Sequence, residues 1–411
     1  MMKRSFQADG LRILTLGLCI GVPLVFGLAA ALMPQDNNWD LRNYHWYNAH
    51  AFLTGRMGFD LAPAQTPTYY NPLLDVPFYL LAQMLPARMV AFLLGVIQGC
   101  NFVLLFALAR RALVFPGPRQ AVLAPAAIAL VGMVGAGHLG MLGATFYDNI
   151  LSLFFLGALV MILRKRDLLL SGPMPAALKH VAVAGAVVGL AVGLKLPAQV
   201  FAVGVCFGLL LVPGPFLRRF WLSFVCGLGV IAGFILTGGW WIAKMWRDYQ
   251  NPLFPYMNDV FRSPWALAEN YRDTRFLPAN LGDALLFPFR FVADSTIASE
   301  ISFVDTRVAV AFAVLAVTAV IVLARRRASR APVDMFAARY LFAAAGLTYV
   351  SWLAVFAIYR YITALEMLAP LLIVMGIALW PLTSRLRAGL AVALLLFVTL
   401  AIRTEDWTRL P

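Results

Sequence analysis

The chain has 411 residues, 62% of them hydrophobic and 13% charged, with a formal net charge of +14. A soluble domain is about half apolar and a quarter charged, so this composition excludes an ordinary soluble fold and points to a membrane. The positive charge would suggest nucleic acid in a soluble protein. Here it gathers in short loops between apolar runs, and no nucleic-acid partner is expected.

The first apolar run begins near Leu11, behind Met1-Met2-Lys3-Arg4. It is about 23 residues long and has no clear small-residue cleavage site, so it reads as an uncleaved transmembrane helix over 11–33. A long external segment follows over about 34–84. Spans two to seven are expected over 86–109, 120–137, 147–163, 178–195, 197–213 and 220–243. A second long external segment covers about 244–306. Spans eight to eleven fall over 307–324, 335–358, 361–381 and 387–403. Backbone in lipid has to satisfy its own hydrogen bonds, which makes these runs helices. The expected fold class is an all-α polytopic membrane protein of about eleven transmembrane helices, one domain over 1–411.

Arg110-Arg111, Arg164-Lys165-Arg166, Arg218-Arg219, Arg325-Arg326-Arg327, and Arg385 with Arg387 mark the cytoplasmic loops by the positive-inside rule. The N-terminus is then inside and the C-terminus outside, in a bacterial inner membrane. Of the 19 Asp and Glu, only Asp9, Asp167 and Asp334 fall on the cytoplasmic side. Both external segments are rich in Trp, Tyr and Phe, which favour the membrane–water interface, and short interfacial helices are expected in them. The four cysteines, Cys19, Cys100, Cys206 and Cys226, lie in apolar runs without CxxC spacing. They read as small buried hydrophobes.

The densest polar chemistry is "DNNWDLRNYHWYNAH", Asp36–His50, just past the first span. If a helix begins near Asn38, Asp40 lies in its first turn, where the helix dipole keeps a carboxylate ionised. An ionised carboxylate at the edge of an apolar cavity is a general base for a hydroxyl. The alternative is that Asp36 or Asn38 only caps the helix. Asp148 opens a span in "GATFYDNILSLFFLGAL", where a carboxylate is costly and functional by default, or again a cap. Lys195 in "GLKLPAQ" ends span five at the outer face; it binds an anion or snorkels. Arg360, between Tyr359 and Tyr361 in "AIYRYITALEMLAP", has a fork suited to phosphate or carboxylate. It reads equally as half of a salt bridge to an external Asp or to Glu366. His45 and His50 have no acidic or Cys partner at metal spacing, and no metal site is assigned.

No P-loop, GxGxxG after a strand or GxSxG occurs. Activated donor chemistry therefore has to reach the membrane already made, as a lipid-linked group. At this point the chain resembles the GT-C superfamily of glycosyltransferases, which use polyprenyl-phosphate or polyprenyl-diphosphate sugars at the outer membrane face. "WDLRNYHWYNAHAFLTGR" is similar to that family's first-loop acidic motif, "FYDNILSLFFLGAL" to its second, and "QNPLFPYMN" to its "GNPxFP" external segment. "YRYITALEMLAP" is similar to the late "RYxxPxxP" motif, with Ala364 where proline is common.

The resemblance implies an inverting enzyme that moves a sugar from a polyprenyl phosphate to an acceptor. Asp40 would be the base and Asp148 a second catalytic acid placing acceptor or sugar. Arg360 and Lys195 would hold the phosphate, and Tyr44, His45, Asp36 and Tyr361 would complete the substrate-binding set. No cofactor is implied beyond the lipid-linked donor, though the pattern does not rule out a divalent metal. The Asp-Glu pair and large soluble C-terminal domain of protein O-mannosyltransferases are missing from the pattern, so a lipid or glycan acceptor is expected. A transporter or flippase is the first rival; it would need midplane charges and internal repeats. An O-antigen-ligase-like enzyme is the second, with Arg262, Arg272 and Arg275 in the external segment.

Overall fold

The computed structural model describes residues 2–326, 328, 331–404 and 407–410, the side chains of 2–8 excepted. Arg327, Pro411 and the side chains of Lys3 and Arg4 lie outside the described residues. The described residues are mainly helical, and the two short strands among them, Gln35–Asp36 and Arg409–Leu410, pair antiparallel. Each of the eleven expected spans is occupied by helix. Six helical stretches are long and apolar enough to cross a membrane: Asp9–Leu32, Ala87–Ala112, Met174–Leu194, Phe216–Tyr249, Met335–Val355 and Tyr359–Ala378. The other five, such as Gln120–Met133 and Asp148–Arg164, have 14 to 17 residues. At 1.5 Å per residue they reach roughly 21–26 Å, short of a hydrocarbon core of about 30 Å.

The connections gather at two ends. At one, Leu113 bridges Val333, Arg166 pairs with Asp334, and Arg218 donates to the carbonyls of Leu168, Leu169 and Gly172. Ala328 N donates to Leu379 O, and Arg387 to Ala378 O. This is the basic end. At the other, the first external segment meets the C-terminal strand, Val304 bridges Arg403, and Asn71 donates to Gly193 O and Thr237 O. Apart from Asp9, Asp167 and Asp334, every described acid belongs to this second, acidic end.

Small residues let the helices approach closely. Met174–Leu194 and Phe216–Phe234 meet along facing glycines at four-residue spacing, Gly185, Gly189 and Gly193 against Gly229 and Gly233. A Cβ at Gly189 would lie 2.1 Å from Val230 O, and one at Gly229 would lie 2.1 Å from Ala182 O. Backbone contact of this kind is how membrane helices associate without a hydrophobic drive between them. Gly189→Val is therefore expected to destabilise by about 1–3 kcal/mol or more. Gly227→Ala, where a Cβ meets nothing within 4 Å, should change little. Thermal unfolding of the two variants in detergent checks this, and equal melting temperatures would refute it.

The second external segment begins later than expected. The helix read as ending at 243 runs on through "WWIAKMWRDY" to Tyr249 and stops at Gln250, whose φ is +56°. A π-helical turn over Ile235–Gly239 interrupts it, and Thr237 O accepts from Asn71 and from the Trp240 indole. Short helices do occur in both segments: Trp46–Leu53, Asp75–Met84, Asn258–Phe261 and Leu281–Ala293.

Candidate functional site

The sequence-selected residues converge at the acidic end. Asn38, not Asp36, caps the turn that follows: its Oδ1 accepts from Leu41 N at 2.8 Å. Residues Leu41–His45 then form a π-helical turn, a widened geometry that recurs at functional sites. Tyr44 comes back over Asp40, and its hydroxyl donates to Asp40 Oδ2 at 2.8 Å. The same oxygen accepts from Arg360 Nη1 at 2.7 Å, across 320 positions of sequence. Among the described residues no hydrogen bond reaches Asp40 Oδ1.

Arg360 is held by its surroundings as much as by Asp40. The turn that carries it is fixed by Tyr359 N donating to Ala298 O, the Trp352 indole to Ile358 O, and Thr363 Oγ1 to Arg360 O. Its guanidinium carbon lies 4.9 Å from the Phe146 ring centre, 5.4 Å from that of Tyr361 and 5.7 Å from that of Trp407. Such an aromatic cradle stabilises a cation without using its hydrogens. Glu366, the other salt-bridge partner considered for Arg360, turns away. It accepts from Gly137 N at 2.9 Å and His138 N at 3.0 Å.

Lys195 does not snorkel. Pro197 breaks the helix after Leu194, and Lys195 points inward from that break. Its Nζ donates to Asp148 at 2.8 and 3.0 Å and to Phe146 O at 2.9 Å, and lies 5.3 Å from the Tyr361 ring centre. Asp148 is presented by Tyr147, a non-glycine residue at φ +63°. Strain of that kind persists only where the surroundings enforce it. The loop before it is pinned by Gln98, buried within a span, which accepts from Gly143 N at 2.7 Å. Tyr361 thus lies between the two cations, Arg360 and Lys195.

His45 is placed behind Asp40. Its Nδ1 is 2.6 Å from Asp75 Oδ1, and its ring packs against Tyr44 and Tyr147. Asp36 has a structural placement. Its Oδ1 accepts from the amide and side chain of Asn38, and its Oδ2 from the amide and hydroxyl of Thr145. It ties the first segment to the loop that presents Asp148.

Electrostatics follow the contacts. Burial alone would raise the pKa of Asp40. Arg360, then His45, the Tyr44 hydroxyl and Lys195 outweigh it and hold the carboxyl below its ordinary value. Burial pushes Asp75 up against the opposing pull of His45. Tyr44 is raised well above the usual phenol range by burial and then by Asp40. Asp40 is therefore the ionised member, with Tyr44 a firm donor.

Sequence reading missed Asp75, Phe146, Trp407 and the Tyr70–Tyr256 pair. The two tyrosine hydroxyls of that pair are 2.6 Å apart, and Tyr70 packs edge-on against Tyr44. The "QNPLFPYMN" segment supplies Tyr256: Asn251 binds the backbone at Leu253 and Tyr256, fixing the turn. Asp75, acidic at the head of a helix in an aromatic loop, carried a signal of the kind that singled out Asp148. Trp407 carried none.

Two cavities lie elsewhere. One, about 410 Å³, is an apolar groove between the helices Gln199–Gly208 and Phe216–Phe234, walled by Phe207, Phe220 and Phe224. A second, small one lies under the aromatic loops beside Trp241. Neither is lined by Asp40 or Arg360. What the cluster offers chemically is two cations, each matched by a carboxylate, among aromatic rings at one end of a helical membrane protein. Comparison of the chain with protein-family models, with characterised proteins and with solved structures returned no match.

Proposed function

We propose that this protein is a membrane glycosyltransferase, taking a sugar from a polyprenyl-phosphate donor to a lipid or glycan acceptor at the outer membrane face. The observation that carries this reading is the meeting of Asp40–Arg360 and Asp148–Lys195 around Phe146 and Tyr361. Arg360 and Lys195 hold the phosphate. Asp40 Oδ1 takes the proton of the acceptor hydroxyl as its oxygen bonds to the anomeric carbon. The bond from that carbon to the phosphate oxygen breaks, and its electron pair leaves with the phosphate. Cations in a poorly solvated site offset the charge that develops there. Attack from the face opposite the phosphate inverts the anomeric centre. Asp148 orients sugar or acceptor, and the aromatic segments roof the site.

Purified protein should transfer sugar from one of a panel of polyprenyl-phosphate sugars, with acceptor lipids from the same membrane supplied. Folded protein that transfers nothing from any donor, yet moves labelled lipid across vesicles, would favour the transporter reading instead.

In this reading all eleven helices cross, in an inner membrane, with the basic end cytoplasmic. The pairing of Gln35–Asp36 with Arg409–Leu410 supports it, because the first loop and the C-terminus then share a side. A reporter at the C-terminus and one inserted near Gly55 should both report the external side, and one near Arg166 the cytoplasmic side. Opposite sides for the first two would overturn the topology.

A further inference from the structure

Resting on the donor reading above, we propose that the donor's phosphate displaces Asp40 from Arg360, so that donor binding itself frees the base and donor binds before acceptor. The argument begins with charge. Among the described residues, two cations of the site, Arg360 and Lys195, are each paired with one carboxylate. An entering phosphate is a third anion, and a buried anion without a partner is costly. Opening one of the two pairs gives the phosphate its counter-charge.

Arg360 is the cation free to exchange. Lys195 gives two bonds to Asp148 and a third to Phe146 O. Arg360 gives Asp40 a single bond from Nη1, and its buried Nε has no hydrogen-bond partner among the described residues. A guanidinium fork binds phosphate through two nitrogens at once. The cradle of Phe146, Tyr361 and Trp407 keeps the guanidinium in place whether or not Asp40 is bound. Asp40, for its part, keeps the Tyr44 hydroxyl at 2.8 Å when Arg360 turns to phosphate, so the carboxylate stays aimed. Arg360 is the strongest influence lowering the Asp40 pKa. Its loss to phosphate leaves Asp40 a stronger base at the moment a base is required. Without donor the Arg360 charge on Oδ2 keeps Asp40 a weaker base, although its Oδ1 is open, so proton transfer waits on the phosphate.

The test uses the full chain in lipid nanodiscs and a polyprenyl monophosphate carrying no sugar. Asp40→Asn should bind this probe about tenfold more tightly than the parent, the low end of coupling for close charge pairs. Arg360→Ala should weaken binding, and the double variant should bind as Arg360→Ala does, because the gain needs the cation. Equal or weaker binding by Asp40→Asn would mean that Asp40 only holds Arg360 in place, and the displacement is wrong. In the parent protein, carbodiimide labelling of Asp40 should rise several-fold when the probe is added. Unchanged or reduced labelling overturns the proposal even where a variant fails to fold. A folded parent that does not bind the probe refutes the donor reading, and the displacement falls with it; binding without these effects refutes the displacement alone.

Discussion

Asp40→Asn is expected to slow sugar transfer by about 10²–10⁴-fold, the usual contribution of a positioned base, at saturating donor. The substitution keeps the shape. Its amide oxygen still accepts from Tyr44 and Arg360, which now reach Asp40 Oδ2 at 2.8 and 2.7 Å. What is lost is the charge, and with it the ability to take a proton. The variant leaves Arg360 buried opposite a neutral group, and breaking a buried pair outright costs about 3–5 kcal/mol. The retained hydrogen bond and the aromatic cradle reduce that cost, so folding should survive. Steady-state transfer by purified variant and parent, with melting temperatures for both, decides it. Transfer at the parental rate by Asp40→Asn, with Asp148→Asn inactive, would mean that the base is Asp148. Asp283→Asn, in the first turn of the helix Leu281–Ala293 and paired with Arg290, is the control for a lost acid outside the cluster.

Asp36→Asn is no such control. As a cap, Asp36 would exchange for Asn at little cost. In the structure Asn38 is the cap, and Asp36 accepts four hydrogen bonds, two on each oxygen. An amide accepts on only one side, so two donors at Asn38 or Thr145 would face an NH₂ group. A loss of about 1–3 kcal/mol follows for each buried donor left unsatisfied.

The legible parts of this fold are those written in local composition. Apolar runs give the helices, because lipid leaves the backbone no other partner, and paired arginines mark one end. The expected helix end at 243 falls short because "KMWRDY" is too polar to read as span, yet beyond the π-helical turn the chain stays helical to Tyr249. Length also limits the reading: a 14-residue helix and a 21-residue helix both look like spans when their apolar edges blur into turns. For the site, single residues out of place were readable. A lysine at an outer helix end, a carboxylate opening a span and an arginine between tyrosines each stood against the local pattern, and the structure brings them together. Their partners were not readable. Nothing local in Asp40 names Arg360, 320 residues on. Nothing in the polar C-terminal tail says that it returns to pair with Gln35–Asp36 and set Trp407 against Phe146. Such contacts depend on the packing of the whole helical bundle, to which the facing glycines of Met174–Leu194 and Phe216–Phe234 contribute.

Arg360→Ala should weaken binding of a polyprenyl-phosphate sugar by about 10- to 150-fold, the worth of a charge-assisted contact of roughly 1.5–3 kcal/mol. Three features make Arg360 the larger of the two cationic contributions. Its fork offers parallel bonds to phosphate, where Lys195 offers a point charge. Its Nε has no hydrogen-bond partner among the described residues. Its ring cradle fixes its position before the ligand arrives, so little ordering is lost on binding. Arg360→Lys should recover only part of the affinity, since the charge returns without the fork. The alanine variant strands Asp40 as a buried anion and is expected to be less stable, so its loss of binding alone would be ambiguous. Adding Asp40→Asn removes the stranded charge. The double variant should regain stability and still bind donor weakly, which separates the loss of the phosphate contact from the loss of the fold. Parental affinity in a folded Arg360→Ala or double variant would refute the assignment of Arg360 to the phosphate and leave it as the counter-ion of Asp40.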